Sequence, residues 1–386
     1  MSYTTRTRHL APEGAYQVLA KAGQLEAAGK EIIHFEIGQP DYETFSNVSL
    51  AGIRAISEGM TRYTHPAGIV PLREAIAEDA GGRRGIRVHP DEVIVSPGGK
   101  PNLFFPTLAL VEPGDEVIYP NPGFPTYEAM IGVAGGIPVP VPLLESNSFS
   151  FDLEAFDKLI NDRTKLIILN SPSNPTGGVI PREDLEHIAA KALEFDCWVM
   201  SDEIYARIAY DGIRVSSIAS LHGMQARTII VDGFSKTYSM TGWRLGYGIM
   251  PKQLAECVGL LLTHSLGSTA HFTQFAGIEA VVGPQDMVYK MVSEYQLRRD
   301  AIVAGLSAIP GFTCQKPEGA FYVFPNISGT GMKSSDLANL ILEKAGVALL
   351  PGSAFGAYGE GYLRLSYATS LPVIEKGLAR IRSVLG

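Results

Sequence analysis

The sequence predicts an α/β fold in which a mainly parallel sheet forms a large domain and an α+β mixture forms a smaller one. Three observations carry that reading. From about residue 70 to 250, short β-branched runs alternate with longer amphipathic stretches, the pattern of successive β-α units. Near Gly283-Pro284-Gln285-Asp286 the texture changes to one long helical pattern followed by short mixed segments. The 386 residues, 46% of them hydrophobic, suffice for a large core shared between two domains.

Helical spacing predicts a first helix over Pro71–Ala80, followed by strands at Glu92–Val95 and Glu116–Tyr119. Ile131–Leu144 is apolar, but Gly135, Gly136, Pro138, Pro140 and Pro142 interrupt it. It therefore reads as an edge strand or irregular crossing and not as a membrane helix. Leu166–Leu169, Trp198–Met200, Thr228–Val231 and Gly246–Ile249 continue the sheet. A helix over Arg182–Phe195 opens with Pro181 and the acidic pair Glu183 and Asp184, which suit a helix N-terminus. Asp286–Ser307 is the long helix, and Gly311–Cys314 and Ala320–Phe324 begin the α+β part.

Composition narrows the function. A net charge of −8 with no large Lys/Arg cluster argues against nucleic-acid and membrane partners and for a small ligand. Cys197, Cys257 and Cys314 offer neither a disulfide framework nor a Cys-x-x-Cys site, and read as reduced core or near-core thiols. Met1–Ala11 is polar and lacks the apolar stretch of a secretory signal, which points to the cytoplasm.

In open parallel sheets, ligands bind beyond the carboxyl ends of the strands. Here those ends lead into Asn170-Ser171-Pro172-Ser173-Asn174-Pro175-Thr176-Gly177, into Ser201-Asp202-Glu203-Ile204-Tyr205, and into Lys236. Phe234, Tyr238, Met240 and Trp243 are expected to desolvate the Lys236 ammonium and Arg244 to repel it. Both effects favour a neutral amine able to form an imine with an aldehyde. Val95-Ser96-Pro97-Gly98-Gly99-Lys100-Pro101-Asn102 offers a phosphate the amides of Gly99 and Lys100 at a strand-to-helix junction, with the Lys100 side chain read as solvated. It is not a Walker A loop, which excludes Ile94 and Pro101. In Tyr362–Ala368, alternation places Leu363, Leu365 and Tyr367 on one face and Arg364 on the other.

The run Ser235-Lys236-Thr237-Tyr238-Ser239-Met240-Thr241-Gly242-Trp243-Arg244-Leu245-Gly246-Tyr247 resembles the cofactor-lysine signature of the class I aminotransferases, enzymes of the fold type I pyridoxal-phosphate group. The resemblance extends over nearly the whole chain. It implies that Lys236 holds pyridoxal 5′-phosphate as an imine and then carries a proton, that Asp202 keeps the pyridine nitrogen protonated, and that Asn174 and Tyr205 donate to the phenolic oxygen. Arg244 would clamp the phosphate bidentately and Phe124 would stack on the ring. Gly233 departs from relatives that carry Ser or Thr there, and Ser235 is the expected substitute. Arg364, with Gly38 and Asn174, would hold the substrate α-carboxylate. Tyr63 would reach the phosphate of a neighbouring subunit, implying a homodimer with shared sites.

The resemblance also implies a large domain over residues 48–285 and a small one from 1–47 with 286–386. The implied activity moves an amino group between an L-α-amino acid and a 2-oxo acid by a ping-pong route, with a C–S/β-lyase or an amino-acid oxidase on the same scaffold as the alternative. A ligand-sensing module of a regulator is disfavoured, since no basic helix-turn-helix segment precedes the fold. Side-chain selectivity is expected from the loops Gly14–Gln17, Tyr63–Pro66, Leu266–His271 and Gly319–Tyr322.

Overall fold

The computed structural model describes Thr4, Arg6, Leu10 and residues 12–385. The reading of Met1–Ala11 therefore lies mostly outside the described residues. These form an eight-stranded sheet of β1 (Val93–Ser96), β2 (Glu116–Asn121), β3 (Ile137–Leu144), β4 (Ser150–Phe151), β5 (Thr164–Asn170), β6 (Trp198–Asp202), β7 (Thr228–Gly233) and β8 (Gly246–Ile249). The spatial order is β1-β8-β7-β6-β5-β2-β3-β4. From β7 through β3 the neighbours are parallel, while β8 runs antiparallel to both β1 and β7.

Period-2 alternation sorts the central strands into two cores. Leu166, Ile168, Met200, Ile229 and Val231 join the cluster on one face, and Ile167, Leu169 and Val199 join the cluster on the other. The expected strands are all present; β1 runs on to Ser96, and four more run further than the apolar pattern. Asn121, Asn170 and Asp202 close β2, β5 and β6, and β7 runs through Asp232 to Gly233, because a polar side chain does not stop its backbone from pairing.

The stretch Ile131–Leu144 divides into the end of a helix, a turn at Gly135 and β3. β3 is not itself the edge: it is parallel to β2 on one side and antiparallel to β4 at Leu143 and Leu144 on the other. The Ile137 N–H donates to Asp115 on the β2 side, whereas the Pro142 carbonyl accepts from Asp152 on the far side. Even-numbered residues thus face outward. Pro138, Pro140 and Pro142 present no N–H along that flank, which blunts it against pairing with another chain.

The helices used below are α1 (Gly14–Ala27), α2 (Ser46–Ser57), α3 (Val70–Arg84), α4 (Lys100–Leu110), α5 (Arg182–Glu194), α6 (His271–Val282), α7 (Asp286–Ser307) and α8 (Leu371–Leu385). α3 is longer than the spacing predicts and ends at Gly85, whose φ of 69° closes the helix in the left-handed region. α5 and α7 fall where expected. α7 buries Val288, Met291, Tyr295, Ile302 and Leu306 along one stripe. No helix among the described residues is long and apolar enough to cross a membrane. Cys197 is buried and Cys314 half-buried, but Cys257 is exposed, correcting its near-core reading.

A second sheet of β9 (Tyr322–Val323), β10 (Leu350–Pro351) and β11 (Leu363–Ser366) has β11 in the middle. Of the expected Gly311–Cys314 segment, only a bridge from Thr313 to Asn326 forms. Ile33–His34 pairs with Val347–Ala348, the Phe35 N–H donates to the Ala348 carbonyl, and the Phe35 carbonyl accepts from Ser366. An early segment is thereby laid against late ones, and the Phe35 ring packs against Gly377 of α8.

A Cβ at Gly377 would lie 2.5 Å from Phe35 Cε2. Helix propensity alone would make Gly377→Ala stabilising by about 0.5–1 kcal/mol. Overpacking of a buried aromatic costs about 1–3 kcal/mol, so the variant should unfold at lower urea, with a net loss of about 1–2 kcal/mol. A gain in stability would contradict this packing.

Candidate active site

The chain leaves β2 toward β3 and β4, then returns to build β5, β6 and β7 in the opposite direction. A crevice is expected beyond the carboxyl ends of β2 and β5. A cleft of about 770 Å³ opens there, and Gly38, Gly99, Lys100, Phe124, Asn174, Asp202, Tyr205, Ser235, Lys236, Arg244 and Arg364 all line it. Tyr63 does not. It is 99% exposed and stands outside the cleft of its own chain.

Lys236 follows β7, and its Nζ donates to the Gly38 carbonyl at 2.5 Å. The rings of Tyr205 and Phe321 lie 5.8 and 5.7 Å away. Burial lowers the ammonium to about 8, assisted by the positive charges of Arg364, Arg244 and Lys100 and opposed by Asp202. The direction is the expected one, but the desolvating aromatics come from elsewhere in the chain. Phe234, Tyr238 and Met240 are core residues, Tyr238 meets Arg207, and Trp243 donates to Thr44.

Asp202 ends β6 and is 5% exposed. It accepts from the Tyr127 hydroxyl at 2.7 Å and from the Ile204 N–H at 3.3 Å. Burial pushes the carboxyl up to about 6, Asp232 and Glu203 add to the rise, and the two hydrogen bonds oppose it. Those neighbouring carboxylates are held by Arg84, at 2.6 Å to Glu203 and 2.8 Å to Asp232. Tyr127 escaped the sequence reading. Its signal was a position three after Phe124, which brings the two rings edge to face at 5.7 Å.

Arg364 sits in β11, all four residues of which are buried, with the rings of Tyr322 and Phe355 against its guanidinium. Alternation separates the two faces but does not say that both are covered. At 4% exposure it has no carboxylate within ion-pair distance among the described residues. One guanidinium nitrogen donates to Asn174 Oδ1 at 3.3 Å, another to the Glu36 carbonyl, and Nε has no partner. Burial lowers its pKa from the usual arginine range. The Tyr322 ring lies 4.6 Å from the guanidinium. The Tyr322 and Tyr205 hydroxyls are 2.7 Å apart, oxygen to oxygen, and either can be the donor. A Cβ at Gly38 would stand 2.0 Å from the Tyr322 hydroxyl, which makes glycine obligatory there.

At the opposite end, α4 begins at Lys100 behind Gly99 and directs its N-terminus into the cleft. A Cβ at Gly246 would meet the Gly98 carbonyl carbon at 2.4 Å and the Gly99 nitrogen at 2.5 Å, so the two backbones approach closely. Arg244 hydrogen-bonds the Thr241 carbonyl at 2.7 Å and has no carboxylate partner among the described residues. A side chain at Gly233 would press on Gly246 Cα at 3.0 Å and Ile204 at 3.2 Å, a tight fit that glycine avoids. Lys100 is not simply solvated: its ammonium pairs with Glu13 and lies 5.2 Å from the centre of the Phe124 ring.

The family model for aminotransferase class I and II matches residues 30–381. The chain belongs to the class I and II aminotransferases. It is 41% identical to the probable aspartate/prephenate aminotransferase of Aquifex aeolicus, over 99% of this chain and 98% of that one. Among solved structures it is similar to Thermus thermophilus aspartate aminotransferase with maleate, at TM-score 0.95 and 37% identity with both chains fully covered. It is also similar to an aromatic aminotransferase from Pyrococcus horikoshii, at TM-score 0.90 and 38% identity over 94% of this chain and 98% of that one.

This aminotransferase depends on pyridoxal 5′-phosphate and moves an amino group between an α-amino acid and a 2-oxo acid. The lyase and oxidase alternatives are not favoured by these relatives. The cleft fits the cofactor chemically. It offers an amine of lowered pKa, a buried carboxylate for a ring N–H, a helix N-terminus for a phosphate, and an orphaned guanidinium donor.

Because its carboxyl is raised to about 6, native Asp202 holds its proton more tightly than the unfolded chain does. Its contribution to stability is present below the ordinary carboxylate range and is lost as pH rises through about 6. Above that, the buried charge is a cost. Asp202→Asn should therefore stabilise the cofactor-free protein near neutral pH by on the order of 1–2 kcal/mol, a difference that shrinks as pH falls from about 6 toward 4. The same variant should lose turnover when loaded with cofactor. A turnover loss smaller than about threefold would contradict the assignment.

Proposed function

We propose that Lys236 is the amine that anchors the cofactor and moves the substrate proton, and that Asp202, supported by Tyr127, holds the ring N–H. The carrying observation is the pairing, in one cleft, of an amine lowered to about 8 with a buried Arg364 that has no anionic partner among the described residues. When bound, pyridoxal 5′-phosphate supplies an aldehyde for amine exchange and an electron-accepting ring. Gly99 and Lys100 would hold its phosphate through their amides, with Arg244 and Ser235 beside them. Phe124 would cover one face of its ring, and Asn174 and Tyr205 would meet its phenolic oxygen.

Arg364 binds the substrate α-carboxylate, with the Gly38 segment and Asn174 completing that end. Its Nε and the two donors now spent on Asn174 and Glu36 suit a bidentate anion. Lys236 Nζ, freed when the substrate amine takes its place on the cofactor, would take the proton from the amino acid α-carbon and pass it to the cofactor carbon that carried the aldehyde, and the second half-reaction would run that transfer in reverse. The relatives are named for aspartate, prephenate and aromatic substrates, which supports the shared transfer step.

We also assign residues 48–285 to a large domain and 1–47 with 286–386 to a small one. The hydrogen bonds of Phe35 to Ala348 and Ser366 support that division. The active unit is a homodimer whose Tyr63 acts across the interface. Leu50, Ile53 and Ile56 are exposed on α2, and a second cavity lined by Ile53 and Ile56 shares Arg244 with the active-site cleft. The exposed thiol of Cys257 suits a reducing compartment such as the cytoplasm.

Arg364→Leu should lower kcat/KM for every amino acid donor by roughly 100-fold or more, the scale of a buried charge pair, and should spare amines that lack a carboxylate. Equal damage to both classes would make Arg364 structural. For the shared site, Lys236→Ala and Tyr63→Ala subunits, each impaired alone, should complement when mixed. Half of the randomly reassorted dimers then carry one intact site, so activity should return to roughly a quarter of the parent value. No recovery after demonstrated subunit exchange would place Tyr63 outside the site.

A further inference from the structure

We infer that Glu13 is a selectivity residue that disfavours dicarboxylic amino acids and leaves the side-chain end of the cleft to uncharged ones. The inference rests on the aminotransferase reading and on Arg364 as the α-carboxylate ligand. Four cations line the cleft: Lys100, Lys236, Arg244 and Arg364. Lys236 is the reacting amine, and Arg364 and Arg244 are assigned above to the substrate α-carboxylate and the cofactor phosphate. Lys100 is therefore the cation left for a negatively charged substituent, and Glu13 already engages it.

The surroundings agree with that assignment. Glu13 stands directly before α1, and from that helix Ala15, Tyr16 and Leu19 face the same cleft. The wall is thus largely apolar, with one self-neutralised pair at its end. The pair is half-exposed, at 50% for Lys100 and 28% for Glu13, which makes it weak enough to be disturbed and close enough to be felt. Its charges reach the reacting centre: Glu13 acts on Arg364 and Lys100 acts on Lys236.

A substrate carboxylate entering beside Lys100 must displace Glu13 or lie against it, and either costs Coulomb energy. An uncharged side chain leaves the pair intact and covers Ala15 and Leu19. Specificity of this kind comes from a repulsive group as much as from an attractive one.

The test compares kcat/KM for L-aspartate and L-leucine in holoenzyme carrying the native sequence, Glu13→Gln, and Glu13→Gln with Lys100→Gln. The aspartate-to-leucine ratio should rise roughly tenfold in Glu13→Gln and fall back in the double variant, a change on the scale of one partly screened charge pair. It should also shrink at high salt, where partly exposed charges are screened. An unmoved ratio, or equal changes for both donors, would overturn the role of Glu13 while leaving amino-group transfer in place. Failure of the native enzyme to transfer from any amino acid would instead remove the reading on which the inference stands.

Discussion

The site depends on keeping charged groups in a poorly hydrated cleft without pairing them off. Lys236, Asp202 and Arg364 each lose water on folding, and none has a salt-bridge partner among the described residues. Stability alone would favour neutralising all three, because an unpaired buried charge costs several kcal/mol. The fold instead meets them with neutral donors and acceptors: the Gly38 carbonyl for the amine, the Tyr127 hydroxyl for the carboxylate, and Asn174 with the Glu36 carbonyl for the guanidinium. Such partners hold a side chain in place without cancelling its charge. The ligand then provides the counter-charges, which couples binding to relief of folding cost.

Two regions far apart in sequence maintain this arrangement. Gly38 reaches the cleft, and the Glu36 carbonyl reaches Arg364, because residues 33–35 pair with the strands around Val347 and Ser366. On the other side, Arg84 of α3 holds Glu203 and Asp232, so the carboxylates flanking Asp202 are balanced and only Asp202 is left to the ligand. Structural and chemical charge are thus separated by a single strand position: Asp202 faces the cleft and Glu203 faces away from it.

Much of this was legible in the sequence where chemistry follows a strand directly. Asp202, Lys236 and the Gly98–Lys100 turn could be placed because strand ends are marked by a change from apolar to polar residues. Long-range partners were not legible. Nothing local in Phe321, Tyr322 or Glu13 announces that they meet Lys236, Tyr205 and Lys100, since each contact spans the fold and no periodicity encodes it. The desolvation of Lys236 was anticipated in direction, but it was credited to neighbours in sequence when neighbours in space supply it. The complete burial of Arg364 was not legible either, because strand alternation reports two faces and not whether both are covered.

The proline run of β3 carries a further consequence, one of inheritance. Pro138, Pro140 and Pro142 are tolerated because their missing N–H groups all fall on the outer flank. Insertion or deletion of one residue before Pro138 would move all three to the inner flank at once and strip the ladder to β2 of its donors. Point changes in this strand can accumulate singly, whereas changes of its length cannot. The segment should therefore drift in composition while keeping its spacing, a ruler within an otherwise permissive margin of the sheet.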